Sequence, residues 1–256
     1  MDDLILELRD LTYLKWTRTR KSSGTAGSFL KSYENTKYGK LYYKLSDYDP
    51  LKGIVGHECV NEIIAQRLMT LLGIPHLSYT LVHATVNIND TEYETYLCKS
   101  FDYKKPGESK LPLDDYYELY RQKGESPFDF CRRMHWENMI YGMLVVDFMI
   151  INRDRHGANI EVLSDRKERM IRLSPLFDHG LSFVCRARTA DEAGSFDPMS
   201  DVKIRSFAAS DSAFENLELV PREYLKELTS VDPEDKKVIL AGLNGVIDRT
   251  YVTIQN

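Results

Sequence analysis

Hydrophobic and β-branched residues alternate with polar ones through most of the stretch from Tyr13 to Phe101, a pattern typical of β-strands. It predicts five strands, in the segments LKWTRTR, SFLKSYE, KLYYKLS, YTLVHATVNI and EYETYLCKSF. The second and third strands are joined through NTKYG, where Gly39 can supply a positive φ. Between the third and fourth strands, HECVNEIIAQRLMTLLG has apolar residues at helical spacing and a final Gly, so a helix is predicted from His57 to Gly73.

After a charged, turn-rich segment from Lys104 to Pro112, which we interpret as a linker, the pattern becomes helical. Helices are predicted in DDYYELYRQ, in SPFDFCRRM and from His135 to Ile151. NIEVL and MIRLSPLF predict a two-stranded hairpin, and helical patterning returns in REYLKEL and DKKVILAGLNGVIDRTYVTI. Arg186 to Leu219 has little periodicity, as expected of an extended segment or mobile loop. The chain is therefore expected to be α+β with two lobes, a strand-rich one over 1–103 and a mostly helical one over 104–256.

Composition and charge add little to the predicted fold and exclude only a few classes of function. A chain of 256 residues with 43% hydrophobic and 29% charged residues is typical of a folded protein with a real core. The net charge of -5 argues against a nucleic-acid-binding surface, because phosphate backbones attract clustered Lys and Arg. The four cysteines form no CxxC pair, which indicates neither a zinc site nor a disulfide framework and fits a reducing cytoplasm. The acidic N-terminus lacks the features of a secretory signal, and no stretch has the about 20 apolar residues of a membrane span.

The candidate chemistry follows the apolar run YGMLVVDFMI, in the stretch INRDRHGANIEVL. The protein kinase signature H-R-D-L-x-x-x-N places its Asn five residues after its Asp, and Asp154 and Asn159 have that spacing. Further along, the triplet DHG that begins at Asp178 matches the form of the D-F-G signature. Asp154 can orient an acceptor hydroxyl. Magnesium takes oxygen ligands, so Asn159 and Asp178 can hold the ion.

Phosphoryl transfer of this kind also needs a strand lysine that reaches the phosphates of ATP and a helix glutamate that holds the lysine. Lys44 lies in the third predicted strand, in the relative place of the Lys in V-A-I-K. The next helix offers Glu58 and Glu62, which are four residues apart and therefore share a face. On spacing alone, either glutamate can pair with Lys44.

Together, NRDRHGAN and PLFDHG resemble the motifs of the HipA-like serine/threonine kinases, which share the D-R-H-x-x-N order with phosphoinositide lipid kinases. The resemblance implies a two-lobed protein-kinase-like fold with ATP and Mg²⁺ in the cleft. It makes Asp154 the catalytic residue and Asn159 and Asp178 the magnesium ligands. In that family an N-E pair precedes the apolar helix, so NEIIAQRLMTLLGI makes Glu62 the better partner for Lys44, with Glu58 as the alternative.

The phosphate loop matches less closely, because KSSGTAGS does not contain G-x-G-x-x-G, although backbone amides in a Gly and Ser turn can cradle phosphate oxygens. Family members autophosphorylate a serine in a comparable loop, which makes Ser22, Ser23 and Thr25 candidate sites. The adenine contact is expected through backbone groups near Leu97 to Ser100, where the fifth strand leaves the first lobe. The candidate nucleotide-binding residues are Ser23, Gly24, Thr25, Gly27, Lys44, Leu97, Cys98 and His156.

One residue of the loop departs from the common kinase pattern. His156 lies where many protein kinases have a Lys that meets the γ-phosphate, and we expect it either to hydrogen-bond within the loop or to contact phosphate. Arg155 is expected to anchor the loop, as a fixed positive charge with several donors.

The resemblance implies a protein Ser or Thr as acceptor and, as in many family members, an antitoxin as partner in a toxin–antitoxin pair. Direct contact with nucleic acid or a membrane is not expected. Three alternatives stay open: a lipid or small-molecule kinase, a nucleotide-binding interaction module without activity, and a metal-dependent hydrolase. The hydrolase would draw its metal ligands from His57, His156, His179, Asp154 and Asp178. HECVNE begins like H-E-x-x-H, but Asn61 takes the place of the second zinc-binding His.

Overall fold

A computed structural model of the chain describes residues 3–19, 26–185, 187, 189–207 and 210–247. In the first part of the chain, the elements are β1 (Leu4–Asp10), β2 (Thr17–Thr19), β3 (Ala26–Thr36), β4 (Gly39–Lys44), β5 (Tyr48–Asp49), β6 (Gly53–Ile54), α1 (Glu58–Leu72), β7 (Thr80–Ile88) and β8 (Thr91–Phe101). They are followed by β9 (Ser109–Pro112), α2 (Leu113–Tyr120), α3 (Pro127–Arg133), α4 (Glu137–Met149), β10 (Asp154–Arg155), a 3-10 turn (Gly157–Asn159), β11 (Glu161–Asp165) and β12 (Met170–Leu173). The last elements described are α5 (Ala190–Gly194), β13 (Arg205–Ser206), α6 (Ala213–Glu218), α7 (Arg222–Glu227) and α8 (Asp235–Ile239).

The main sheet of the described chain has the strand order β1-β7-β8-β4-β3-β2, and it contains all five predicted strands. The turn between β3 and β4 uses Gly39 at a φ of +122°, a conformation open to Gly because it has no Cβ. The turn between β7 and β8 has positive φ at Asn89 and Asp90, whose short polar side chains tolerate the left-handed region. The predicted helix is α1, and it ends at Gly73, which has a φ of +72°.

The sixth strand of this sheet, β1, was not predicted. It pairs in parallel with β7, with Leu4 opposite Leu81 and Asp10 opposite Thr85. Most of β1 is exposed: Leu6 and Leu8 alternate with Glu7 and Arg9, but both leucines are 49% exposed, so this alternation does not mark a buried face. Its strand conformation depends on a partner that is distant in sequence, which no local pattern shows.

A second, three-stranded sheet has the order β12-β11-β9. β11 and β12 form the predicted antiparallel hairpin. β9 lies at the edge, with Leu111 opposite Val162, so the segment predicted as a linker contributes a strand. Pro112 is the last residue of β9, where an edge strand tolerates the missing N–H.

The helical part is built around α4, whose Ile140, Met143 and Val146 have no exposed surface. Its apolar residues surround the whole helix, as expected of a helix buried on all sides. The predicted helix was longer, but the chain takes positive φ at His135 and Ile151, which ends regular helix geometry just outside α4.

Within 186–219, where little regular structure was predicted, the described residues form α5, β13 and α6. Among the described residues, no helix combines the length and the apolarity that are needed to cross a bilayer.

Candidate active site

Lys44, at the end of β4, is the centre of a buried ionic cluster. Its Nζ lies 2.8 Å from Oε1 of Glu62 on α1 and 2.5 Å from Oδ1 of Asp178. Lys44 is 8% exposed and Glu62 is fully buried. Burial alone would lower the pKa of Lys44, but the carboxylates of Asp178 and Glu62 raise it well above its ordinary value. Lys44 is therefore a fixed positive charge.

The structure also decides which glutamate faces Lys44. Burial raises the pKa of Glu62, but the positive charge of Lys44 together with the hydrogen bond from His179 lowers it below its ordinary value, so Glu62 stays ionised. Glu58 points elsewhere, because its Oε2 accepts a hydrogen bond of 3.0 Å from the backbone N–H of Asp47. The ion pair is thus the one favoured by the N-E pair in the sequence.

Helix α1 also holds the DHG triplet. The second oxygen of Glu62 accepts a 2.9 Å hydrogen bond from the His179 N–H. The neighbouring residue Asn61 donates through Nδ2 to the carbonyls of Gly180 at 2.9 Å and Ser182 at 3.2 Å. A Cβ on Gly180 would lie 2.8 Å from Cβ of Glu58, so this close approach requires Gly. Two adjacent residues of one helix therefore fix the backbone within the triplet and just after it.

The loop that carries Asp154 is anchored by a buried ion pair. Arg155 is 1% exposed and donates to both carboxylate oxygens of Asp147 on α4, from Nε at 2.9 Å and from Nη2 at 3.0 Å. Its Nη1 donates to the Phe177 carbonyl at 2.8 Å, which ties the loop to the residue before Asp178. Burial would lower the pKa of Arg155, but Asp147 raises it. Arg155 is an anchor, as expected.

Asp154 and Asn159 are linked directly. Nδ2 of Asn159 donates 2.9 Å to the backbone carbonyl of Asp154. Oδ1 of Asn159 is buried and has no hydrogen-bond partner among the described residues. A buried acceptor without a partner costs free energy unless something else satisfies it. The side chain therefore presents an oxygen that suits a hard cation such as Mg²⁺.

Among the described residues, no three His, Cys, Asp or Glu side chains form a group that could hold a metal ion. A hydrolase with ligands drawn from His57, His156 and His179 needs such a group. A kinase-type magnesium site does not, because one or two protein ligands suffice when phosphate oxygens and water complete the shell. Asn159 and Asp178 match the second requirement.

His156 is turned towards its own loop. Its Nδ1 accepts a 3.2 Å hydrogen bond from the Ala158 N–H, and its Nε2 lies 3.6 Å from Oδ2 of Asp154. Of the two expectations for His156, this geometry matches the hydrogen bond within the loop.

Within the adenine contact expected near Leu97 to Ser100, Leu97 and Cys98 are enclosed by the sheet. The two residues are 0% and 1% exposed, and their backbones lie inside the sheet between β4 and β7. Strand β8 pairs with β7 only as far as Lys99, because β7 begins at Thr80. It pairs with β4 as far as Phe101. Backbone groups just after Lys99 that face away from β4 therefore have no neighbouring strand among the described residues. They are the better candidates for an adenine contact.

Most of the predicted phosphate loop, including Ser22, Ser23, Gly24 and Thr25, lies outside the described residues. Gly27 lies in β3, which leads from this segment into the sheet.

Several residues of the site were missed by sequence reasoning. No role was predicted for Asp147, which interrupts the apolar run YGMLVVDFMI, although a buried acid needs a partner. Asn61 was considered only as the residue that replaces the second His of H-E-x-x-H. Arg205, on β13, lies with Nη1 3.8 Å from Oδ1 of Asp154, and no local pattern marks it.

The sequence matches no protein-family model and no curated protein. Its fold is similar to that of the Helicobacter pylori proinflammatory kinase CtkA, with a TM-score of 0.58 and 13% identity over 96% of this chain and 92% of CtkA. Weaker similarities link it to HipA from a toxin–antitoxin complex of Shewanella oneidensis MR-1 (TM-score 0.40, 15% identity, 93% of this chain and 66% of HipA) and to vaccinia related kinase 3 (0.32, 14%, 94% and 69%). The similarity to CtkA confirms the predicted fold class, an α+β protein-kinase-like fold.

Proposed function

We propose that the protein is a kinase that transfers the γ-phosphoryl group of ATP to a hydroxyl group, with Mg²⁺ as its cofactor. The observation that carries the proposal is the contact of Lys44 with both Glu62 and Asp178. Phosphoryl transfer needs a lysine for the non-transferred phosphates next to a metal-binding carboxylate. This arrangement provides both on a kinase-like fold.

Each residue has a separate role in the transfer. Lys44 grips the α- and β-phosphates, and Glu62 holds Lys44 in place. Asp154 orients the acceptor hydroxyl and takes up its proton while the acceptor oxygen bonds to the γ-phosphorus and ADP departs with the electrons of the broken P–O bond. Asn159 and Asp178 would hold Mg²⁺, which, when bound, neutralises charge on the phosphates.

We assign the acceptor to the class of protein Ser and Thr hydroxyls, with autophosphorylation at Ser22, Ser23 or Thr25. This assignment rests on the resemblance of NRDRHGAN and PLFDHG to HipA-like kinases. The same resemblance supports an antitoxin partner. The cysteine pattern supports a cytoplasmic location, and the charged, turn-rich segment from Lys104 to Pro112 supports lobes over 1–103 and 104–256.

The decisive experiment compares the wild type with Asp154→Asn and Asp178→Asn. Each change replaces a carboxylate by an isosteric amide, so the fold should persist while transfer is lost. Removal of a group that handles the proton costs about 10²- to 10⁴-fold in rate. Incorporation of ³²P from labelled ATP into the protein itself, or into lysate proteins, measures the transfer. Circular dichroism checks the fold.

The outcomes separate the alternatives. Mg²⁺-dependent ATP binding without transfer in the wild type indicates the inactive interaction module. Labelled lipid in place of labelled protein indicates a lipid kinase. Wild-type rates in both variants contradict the catalytic assignment. Mass spectrometry that finds residues 22–25 unmodified after incubation with ATP contradicts the autophosphorylation sites alone.

A further inference from the structure

Asp154 lies beside a cation that does not belong to its own loop. β13 runs parallel to β10, with Arg205 opposite Asp154. Two hydrogen bonds set this register, from Arg205 N to the Arg153 carbonyl at 3.0 Å and from Phe207 N to the Arg155 carbonyl at 2.9 Å. Successive residues of a strand point to opposite faces, so Asp154 and Arg205 project to one side while buried Arg155 projects to the other.

The segment that carries Arg205 is held by its surroundings. Ile204 N donates 2.8 Å to the Asp211 carbonyl. Asn216 of α6 is 2% exposed and binds the backbone of Ser210 twice, through Oδ1 at 2.8 Å and Nδ2 at 2.9 Å. The backbone position of Arg205 is thus set by strand pairing and by α6.

The basic side chains next to Asp154 in the sequence have partners of their own. Arg155 is occupied by its buried ion pair. Arg153 donates 2.9 Å to the Phe183 carbonyl. His156 accepts from its own loop through Nδ1, and its Nε2 lies 3.6 Å from Oδ2 of Asp154. The Arg205 side chain is 76% exposed, and its distance of 3.8 Å from Asp154 is long for a charge-assisted hydrogen bond. Its guanidinium therefore has room to turn to another anion.

We propose that Arg205 contacts the transferred phosphoryl group and supplies the positive charge that many kinases take from a lysine of the catalytic loop, where this chain has His156. The inference rests on the proposed function. The transferred group spreads negative charge over its equatorial oxygens, and a planar guanidinium can bind two of them at once. Arg205 exchanges its contact with Asp154 for these oxygens without gaining or losing a proton. Asp154 is then released to receive the acceptor proton as the bond to ADP breaks.

The test compares Arg205→Ala and Arg205→Lys with Lys203→Ala as the matched control. Lys203 is two residues away, is exposed, and faces Asp211 at 3.8 Å. The readouts are self-phosphorylation, Mg²⁺-dependent ATP hydrolysis with water as the acceptor, and binding of a fluorescent ATP analogue. Arg205→Ala should lower kcat by about 100-fold or more, in the range of lost electrostatic contacts to a transition state, and leave KM for ATP and analogue binding unchanged. Arg205→Lys should recover part of kcat, and Lys203→Ala should match the wild type.

Wild-type kcat in Arg205→Ala overturns the inference, as does higher activity, which would make the contact with Asp154 inhibitory. A loss of nucleotide binding equal to the loss of rate also overturns it. Asp154→Asn, measured in parallel, separates the two levels. If Asp154→Asn is inactive and Arg205→Ala is not impaired, only the role of Arg205 fails. If Asp154→Asn is fully active, the proposed function fails with it.

Discussion

The two polar atoms of the Asn159 side-chain amide lie in different environments. Nδ2 is fixed by the Asp154 carbonyl, whereas Oδ1 is buried without a hydrogen-bond partner among the described residues. Asn159→Ala removes one oxygen ligand and leaves Asp178. We expect the Mg²⁺ concentration for half-maximal ATP hydrolysis to rise on the order of tenfold or more. Asn159→Asp keeps an oxygen and should retain tighter Mg²⁺ dependence than Asn159→Ala. Unchanged dependence in Asn159→Ala would remove this residue from the metal site.

Arg155 and Asp147 form a pair in which neither partner is exposed by more than a few percent. Arg155→Met leaves the Asp147 carboxylate buried and uncompensated. We expect the free energy of unfolding in urea to fall by about 3–5 kcal/mol. Asp147→Asn combined with Arg155→Met removes the stranded charge and should be less destabilised than Arg155→Met alone. A double variant that is no more stable than the single one contradicts the ionic explanation.

At the residue scale, predictability depended on whether the relevant neighbours are close in the sequence. The spacing within NRDRHGAN indicated Asp154, Asn159 and the anchoring role of Arg155. Arg205 has no such signal, because strand pairing across a long intervening segment brings it next to Asp154. Charge type alone does not show which arginine reaches a site.

At the scale of elements, α1 connects the ionic cluster to the DHG triplet and is itself held from outside. Arg67, near its C-terminal end, is 4% exposed and donates to both carboxylate oxygens of Asp3, at 2.7 and 2.8 Å. Its Nη1 donates 2.8 Å to the carbonyls of Ile239 and Ala241. One side chain thus joins α1 to a residue just before β1, to the last residue of α8 and to the chain that follows α8.

This clamp makes stability depend on pH. The hydrogen bond from Arg67 lowers the pKa of Asp3, with burial acting in the opposite direction. A carboxyl group whose pKa is lower in the folded than in the unfolded protein stabilises the fold fully at pH values above its unfolded-state pKa. This stabilisation is lost as pH falls through the folded-state pKa. Asp3→Asn should therefore lower the thermal midpoint by about 2–4 °C at pH 7. The difference from wild type should shrink below pH of about 3.9, as Asp3 itself is protonated. A difference that is constant with pH contradicts the ionic origin.

The five strands were predicted from alternation and α1 from helical spacing, and elements such as α1 and β7 bury apolar residues, among them Ile63 and Leu81, in the core. β1 and β13 were not predicted. β1 is mostly exposed, and β13 has two residues. Both depend on parallel pairing with distant strands, so their tertiary context sets their conformation and local propensity does not.

At the scale of the whole molecule, the end of the described chain packs against α1 and the main sheet. Leu243 and Val246 are 0% and 2% exposed and pack in one cluster with Cys59 and Ile63 of α1 and Leu81 of β7. The core between α1 and the main sheet is therefore completed by residues far beyond position 103. We expect the two lobes to unfold together, and a fragment over 1–103 not to fold alone.

The two tryptophans allow this coupling to be measured, since Trp16 packs beside the core of the main sheet and Trp136 lies in the core around α4. Trp16→Phe leaves Trp136 as the fluorescent reporter of the α4 core. Trp136→Phe leaves Trp16 as the fluorescent reporter of the main sheet. Leu243→Ala should cost about 2–5 kcal/mol, because it opens a cavity in a fully buried position. Leu225→Ala, at a residue 40% exposed, is the control and should change stability by no more than about 0.5 kcal/mol.

If the lobes form one cooperative unit, Leu243→Ala shifts the urea midpoints of both reporters equally, although Trp136 lies in a different cluster from Leu243. A shift seen by Trp16 alone would mean that the lobes unfold separately, and α1 could then detach from the sheet while α4 stays folded. Joint unfolding means that any change loosening the packing of residues 243–246 also loosens the helix that positions Lys44 and Asp178. The proposed kinase activity of Leu243→Ala should then fall with temperature in parallel with both reporters, below the midpoint of the wild type.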